Sequence, residues 1–291
     1  MEKVHTTCVY CGCGCGLFLH VEGGRIVGAS PSPAHPMSRG RLCIKGWLAG
    51  DFVGHPERLS YPLLRQGDRM VRATWDEALS LAAAKLESIR KEFGPHSLGV
   101  LTSAKGTNEE NYLLMKLARA ALKTNNVDHV ARLCHAPTVA ALGSALGSGA
   151  MTGSFSSLAN SDVILIVGSN TTEQHPLAAS YILHARSRGA KLIVADPRRT
   201  RLAELADLWL SPRPGTDVVW INALLNMIAE QDLLDRQFIE KRTTGFEETA
   251  EAARAYTPGQ AEKISGIAAP DLARAAGLFG AADRAAIVYA M

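Results

Sequence analysis

Four cysteines near the start of the chain, Cys8, Cys11, Cys15 and Cys43, follow the spacing Cys-x2-Cys-x3-Cys-x27-Cys. Three thiols within eight residues, separated by Gly12, Gly14 and Gly16, require a backbone that wraps one centre. Thiolate is the usual ligand of iron–sulfur clusters and of structural zinc. Structural zinc usually takes two well-separated Cys-x2-Cys knuckles, whereas here a tight triplet is followed by one distant cysteine. The spacing therefore predicts a single [4Fe-4S] cluster, with zinc as the alternative. Cys13 offers a different third ligand. Cys15 is favoured because the one-residue gap from Cys11 to Cys13 leaves little room to wrap a cluster.

The rest of the 291 residues is long enough for about two domains with real cores. A 47% hydrophobic and 20% charged composition is that of an ordinary soluble globular protein. The net charge of +3 is mild and the basic residues are scattered, which gives no case for nucleic acid. The longest purely aliphatic run, Val163 to Val167, is far short of a membrane span. With little sequence before Cys8 to serve as a leader, and cysteines spaced as ligands rather than disulfides, the expectation is a cytoplasmic, reducing location.

Two patterns divide the chain. In the first, Leu17-Phe-Leu-His-Val-Glu and Arg25-Ile-Val-Gly-Ala flank Gly23-Gly24, a hairpin signal. Gly40-Arg-Leu-Cys-Ile-Lys-Gly46 then returns Cys43 to the cluster. This predicts a small β-rich cap over 1–60. Beyond it the pattern becomes α/β. Thr74-Trp-Asp-Glu77 is a capping box opening a helix to about Phe93, and Thr107-Asn-Glu-Glu110 opens another to about Lys123. Ser97 to Thr102 reads as a buried strand between them. Asp162 to Gly168 and Lys191 to Asp196 read as strands joined by a helix from about Pro176 to Arg188. Apolar strands alternating with helices predict a parallel sheet covered on both faces, with a first α/β part over 61–130 and a second over 131–291.

Ligands of such sheets bind at the carboxyl ends of strands. The loops there are Gly168-Ser169-Asn170-Thr-Thr-Glu173, with small residues and backbone N–H groups for a phosphate, and Asp196-Pro197-Arg198-Arg199. Asp196 suits a ribose hydroxyl or a purine edge, and the arginines suit anions. No Gly-x-Gly-x-x-Gly follows either strand, which counts against a nicotinamide site. Both residues also serve simply as strand terminators. Arg213-Pro-Gly215-Thr216-Asp217 precedes an apolar helix, where Asp217 is either a first-turn residue or a third wall of a nucleotide pocket. Cys134-His135 sits in what reads as a Pro-containing linker. A lone cysteine is usually a small buried residue and a lone histidine a satisfied polar group. Side by side they also make a soft-metal ligand and a proton carrier.

In this order, Cys8-x2-Cys11-x3-Cys15, Gly40 to Gly46, Thr107-Asn-Glu-Glu-Asn-Tyr112, Thr124-Asn-Asn-Val-Asp-His129, Cys134-His135, Gly168-Ser-Asn170, Ala195-Asp-Pro-Arg-Arg199 and Arg213 to Asp217 resemble the catalytic α subunit of formate dehydrogenases, in the molybdopterin oxidoreductase superfamily. The resemblance covers essentially the whole chain.

The resemblance implies a molybdenum or tungsten centre held by two molybdopterin guanine dinucleotides, with Cys134 on the metal and His135 beside it managing the proton of formate. It implies Lys45 as an electron relay between cluster and pterin. Gly168, Ser169, Asn170 and Glu173, with Asp196, Pro197 and Arg198, and Gly215, Thr216 and Asp217, would hold pterin guanine nucleotide. Formate would be oxidised to carbon dioxide, or the reverse, with electrons leaving through the [4Fe-4S] cluster to a partner subunit. Members of the family are more than twice as long, so the chain is expected to be a fragment, a truncated gene product or one half of a split subunit whose carboxy-terminal domains a second polypeptide supplies, and the isolated chain is not expected to oxidise formate efficiently. A non-catalytic iron–sulfur scaffold, an assimilatory nitrate reductase and a zinc-stabilised binding module are the alternatives.

Overall fold

Gly23 and Gly24, both at positive φ (56° and 75°), give the tight turn that the right-handed twist of a hairpin needs. They join β2 (Gly16–Glu22) to β3 (Arg25–Pro31), and β1 (Glu2–Thr7) completes a sheet in the order β1-β2-β3. Cys43 is followed at once by the short helix α1 (Ile44–Trp47). The computed structural model describes residues 1–290.

β4 (Leu63–Gln66) and β5 (Arg69–Arg72) form an antiparallel ribbon leading to α2 (Trp75–Phe93). The expected capping box opens α2: Glu77 N–H donates to Thr74 Oγ1 at 3.2 Å and Thr74 N–H donates to Glu77 Oε2 at 2.7 Å. After β6 (Val100–Thr102), a second box at Thr107 and Glu110 opens α3 (Asn108–Lys116). That helix widens into a π-helical stretch, Leu117–Leu122, and stops at Lys123 in the left-handed region (φ 61°). β7 (Val127–His129) pairs in parallel with β6, and α4 (Ala131–Cys134) and α5 (Ala136–Leu146) follow.

The remaining elements are β8 (Val163–Val167), α6 (Thr171–Gln174), α7 (Pro176–Ser187), β9 (Lys191–Ala195), α8 (Arg201–Leu205), β10 (Leu208–Leu210), α9 (Asp217–Glu230), α10 (Arg236–Arg242), α11 (Phe246–Arg254), α12 (Pro258–Ser265), α13 (Ala269–Gly280) and β11 (Ala285–Tyr289). The strands form a parallel sheet in the order β10-β9-β8-β11. Period-two alternation splits its side chains between two cores. Val163, Leu165, Ile193, Leu208 and Leu210 pack with Trp220, Leu224 and Leu272 of α9 and α13. Ile164, Ile166, Leu192 and Val194 pack with Ile182 and Leu202 of α7 and α8. The chain moves outward from β8 through β9 to β10, then crosses to the other side of β8 for β11, so the sheet order reverses at β8.

The chain divides into two compact units. One contains Lys3–Leu19, Ala29–Trp47 and everything from Thr152 onward, and so holds the cysteine loop together with the four-stranded sheet. The other contains Met1–Glu2, His20–Gly28 and Leu48–Met151. This second unit has a sparse core: α2 buries no residue, and Trp75, Leu79, Phe93 and Leu133 are exposed. The strand expected to be buried near Ser97 is β6, yet Leu101 on it is 85% exposed. Among the described residues β6 pairs with β7 alone, and the face of this ribbon that bears Leu101 is left uncovered. On the edge strand β11, Ile287 and Tyr289 share the face of Leu165 and Val167 but stay about half exposed. Among the described residues no helix is long and apolar enough to cross a membrane.

Candidate functional site

The cysteine loop closes on itself before any ligand is considered. Cys8 N–H donates to the Cys15 carbonyl at 2.8 Å, and Gly14, at φ 56°, turns the chain so that its N–H donates to the Cys11 carbonyl at 3.2 Å. An L side chain at that φ would be strained. Cys43 carries α1 through its carbonyl, which accepts from Gly46 and Trp47 N–H at 3.0 and 3.1 Å. Cys8, Cys11, Cys13, Cys15 and Cys43 thereby line one pocket with Lys45, and Pro176 and Leu177 of α7 close it. The five cysteines are free thiols.

Burial pushes the Cys15 thiol up to about 11, reinforced by the charges of Cys8, Cys11 and Cys43 around it. Cys15 therefore faces the other three cysteines of the expected ligand set. Burial and the Cys11 charge push Cys13 up to about 12. Gathered thiolates repel one another without a cation, and metal charge reverses that sign. Five thiols lining one pocket fit a metal centre held by cysteine thiolates.

Lys45 leaves this pocket for the end of α6, donating from Nζ to the Glu173 and Gln174 carbonyls at 3.0 and 3.2 Å. A helix C-terminus favours a cation. Two more contacts fix the cysteine-bearing segment to α7. Arg41 Nη1 donates to Ser180 Oγ at 3.1 Å with its guanidinium 4.7 Å from the Tyr181 ring centroid, and Tyr181 OH donates to the Met37 carbonyl at 2.8 Å. Burial, with the nearby Lys45 charge, holds the His175 pKa below its usual value. The cysteine spacing pointed to none of Pro176, Leu177 or Tyr181, because these contacts span more than a hundred positions.

Because β8, β9 and β10 are parallel, the three loops expected to bind nucleotide lie at the same, carboxyl end of the sheet, and the first of them follows β8, where the sheet order reverses. They are also stitched together. Gly168 N–H donates to the Ala195 carbonyl at 2.9 Å, and Asp196 N–H to the Leu210 carbonyl at 3.1 Å. The Gly168 and Glu173 N–H groups are therefore occupied, the latter by the Asn170 carbonyl at 3.2 Å. Ser169 and Thr171 are buried and share a 2.7 Å hydroxyl contact. Asp196 is 5% exposed, and its Oδ1 accepts from Arg198 N–H at 2.8 Å. That turn also fixes Pro197. Thr216 Oγ1 donates to the Arg213 carbonyl at 2.6 Å, after which Gly215 and Thr216 lead into α9. Asp217 is a first-turn residue, and its Oδ1 accepts from the fully buried Trp220 at 3.1 Å.

In the other unit, Cys134 and His135 stand on helices and not in a linker: Cys134 ends α4 and His135 caps α5. Cys134 is exposed. His135 Nδ1 is buried with no hydrogen-bond partner among the described residues, an orphan that a bound group would satisfy. Beside them Arg132 pairs with Asp128 at 2.9 Å.

Residues 1–55 match the molybdopterin oxidoreductase Fe4S4 domain, and residues 58–289 match the molybdopterin oxidoreductase domain. The chain is 45% identical over 291 residues to the F420-dependent formate dehydrogenase 1 subunit alpha of Methanococcus maripaludis, covering all of this chain and 43% of that protein. It is 46% identical over 288 residues to the F420-dependent formate dehydrogenase subunit alpha of Methanocaldococcus jannaschii, covering 99% of this chain and 42% of that one. Among solved structures, acetylene hydratase from Pelobacter acetylenicus superposes with a TM-score of 0.82 at 32% identity, covering 99% of this chain and 40% of that one. The chain thus spans less than half the length of the proteins it matches. The matched domains indicate a [4Fe-4S] cluster and a molybdenum or tungsten molybdopterin cofactor, in agreement with the thiol pocket, the orphaned His135 nitrogen and the three clustered loops. With most of its residues inside that family's model, this chain belongs to the molybdopterin oxidoreductases.

Proposed function

We propose that this chain is part of the catalytic α subunit of a formate dehydrogenase, interconverting formate and carbon dioxide. The observation that carries the reading is Cys134 beside His135, whose Nδ1 is buried and unpartnered. A scaffold subunit that had lost its pterin would have no need of that pair. The likeness to proteins named as formate dehydrogenases supports the substrate.

Bound, a molybdenum or tungsten bis(molybdopterin guanine dinucleotide) centre supplies two-electron chemistry. The chain's own residues do the rest. Cys134 offers a soft thiolate to the metal. His135 holds or moves a proton at Nδ1. Asp196, held by Arg198 N–H, orients an acceptor toward a nucleotide donor, with Pro197 shaping the turn. Gly168, Ser169, Asn170 and Glu173 form one wall of that nucleotide site, and Gly215, Thr216 and Asp217 another. Cys8, Cys11, Cys15 and Cys43 hold the [4Fe-4S] cluster, and Lys45 places a cation between the cluster pocket and α6. Electrons leave to a partner electron-transfer subunit, and the domains that the longer relatives have beyond the matched part, in the same polypeptide or in a second one, cover the exposed apolar side chains of the second unit. Six free thiols suit the reducing cytoplasm.

In the complete enzyme, Cys134→Ala is expected to abolish formate oxidation and leave the iron–sulfur absorption unchanged. Near-normal turnover in that variant would overturn the reading.

A further inference from the structure

Asp196 lies one step beyond the ladder that joins β9 to β10, whose last registered pair is Ala195 and Leu210. Both of its backbone polar groups are nevertheless held by β10. Its N–H donates to the Leu210 carbonyl at 3.1 Å, and its carbonyl accepts from Trp209 Nε1–H at 2.9 Å. The place of Trp209 in the strand allows this. Leu208 and Leu210 are buried in the core formed with α9 and α13, so period-two alternation turns Trp209 to the other face of the sheet, where it is 36% exposed. There the Arg199 guanidinium lies over its ring, 5.7 Å from the centroid. One side chain thus grips the Asp196–Arg199 turn at both ends.

What the grip holds in place is a carboxylate with capacity to spare. Asp196 is 5% exposed, and the one hydrogen bond its side chain makes among the described residues is from Arg198 N–H to Oδ1 at 2.8 Å. A carboxylate offers about four acceptor sites and no donor. Guanine presents two neighbouring donors on its Watson–Crick edge, N1–H and the 2-amino group, whereas adenine presents a donor beside an acceptor that a carboxylate repels. We propose that Trp209 is a positioning residue that fixes the Asp196 carboxylate against the donor edge of guanine, and so sets a preference of this site for guanine over adenine nucleotides. The proposal rests on the reading of Asp196 as a nucleotide contact. Without the indole N–H the turn is free to shift, and the paired donors of guanine lose more by that shift than groups that both nucleotides share.

The test is isothermal titration calorimetry of the full 291-residue chain with guanosine diphosphate and with adenosine diphosphate, for the parent, Trp209→Phe and Asp196→Asn. The loops after β8, β9 and β10 all belong to one compact unit, so the chain carries these walls together. The parent is expected to prefer the guanine nucleotide by about tenfold, the worth of one hydrogen bond to a charged group. Asp196→Asn should lose that preference. Trp209→Phe should lose most of it through weaker guanine binding, with adenine binding near the parent's. A merely structural role would weaken both nucleotides alike. An unchanged preference in Trp209→Phe, with the preference lost in Asp196→Asn, would overturn the proposal and leave Asp196 as a contact. Should Trp209→Phe fail to fold, Trp209→Leu carries the same expectation. A parent that binds both nucleotides equally would put Asp196 on a group they share, such as the ribose, and overturn the proposal. A parent that binds neither, or an Asp196→Asn variant that keeps the full preference, would remove the reading of Asp196 itself, and this proposal with it.

Discussion

Lys45 Nζ donates to the carbonyl oxygen of Glu173 at 3.0 Å, across 128 positions of sequence. A residue two positions beyond Cys43 thereby holds the loop that follows β8. The Gln174 carbonyl shares the same ammonium at 3.2 Å. Losing both bonds at this half-exposed site costs about 1 kcal/mol after solvent screening. Lys45→Met should therefore speed amide hydrogen exchange of α6 about fivefold, while Lys45→Arg should leave it near the parent. Unchanged exchange in the methionine variant would show that the contact carries no local stability.

Individual alanine replacements of Cys8, Cys11, Cys15 and Cys43 should each lower bound iron and bleach the visible absorption of the anaerobic protein. Each removes one sulfur from the same pocket. A Cys15→Ala protein with a full cluster would contradict the assignment of the third ligand.

Asp217 is expected to matter for stability as well as for nucleotide. Its Oδ1 accepts from the indole N–H of Trp220, a fully buried side chain at the centre of one core. Asp217→Ala leaves that donor unpaired at about 1 kcal/mol, or roughly 2–4 °C in Tm. Thermal unfolding of the variant measures it, and an unchanged Tm would limit Asp217 to ligand contact.

Asp162 and Arg284 join the starts of β8 and β11, with the guanidinium donating at 2.7 and 3.1 Å. The Arg284 hydrogen bond holds the Asp162 carboxyl below its ordinary value. A depressed carboxyl contributes stability that is present above its unfolded pKa and lost as pH falls through the folded one. Arg284→Gln should therefore narrow the stability gap between parent and variant at acid pH and leave it widest near neutrality. A gap that does not change with pH would contradict this account.

Much of this was legible locally. The capping boxes at Thr74 and Thr107 lie within four residues of the helices they open, and β8 and β9 announce themselves as β-branched runs. The hairpin at Gly23 and the cysteine loop are equally short-range. What the sequence hid is tertiary. Leu101 looks like a core residue but has nothing over it, because burial depends on what covers a strand and not on its own pattern. The apparent linker at Cys134 is helical, since Pro137 falls in the first turn of α5, where its missing N–H costs nothing.

The 291-residue chain alone should not sustain formate-dependent dye reduction. Leu101, Leu133, Trp75 and Phe93 of the second unit and Ile287 of the edge strand are exposed apolar groups, of a kind that associates or takes a partner. Steady turnover by the purified chain, with stoichiometric molybdenum or tungsten and no second polypeptide, would falsify this.

Quantification of iron, acid-labile sulfide and zinc in the anaerobically reconstituted chain tests the thiol pocket, on which the rest is built. The account predicts about four irons and four sulfides per chain, with no stoichiometric zinc. One zinc per chain, with iron and sulfide absent, would contradict it.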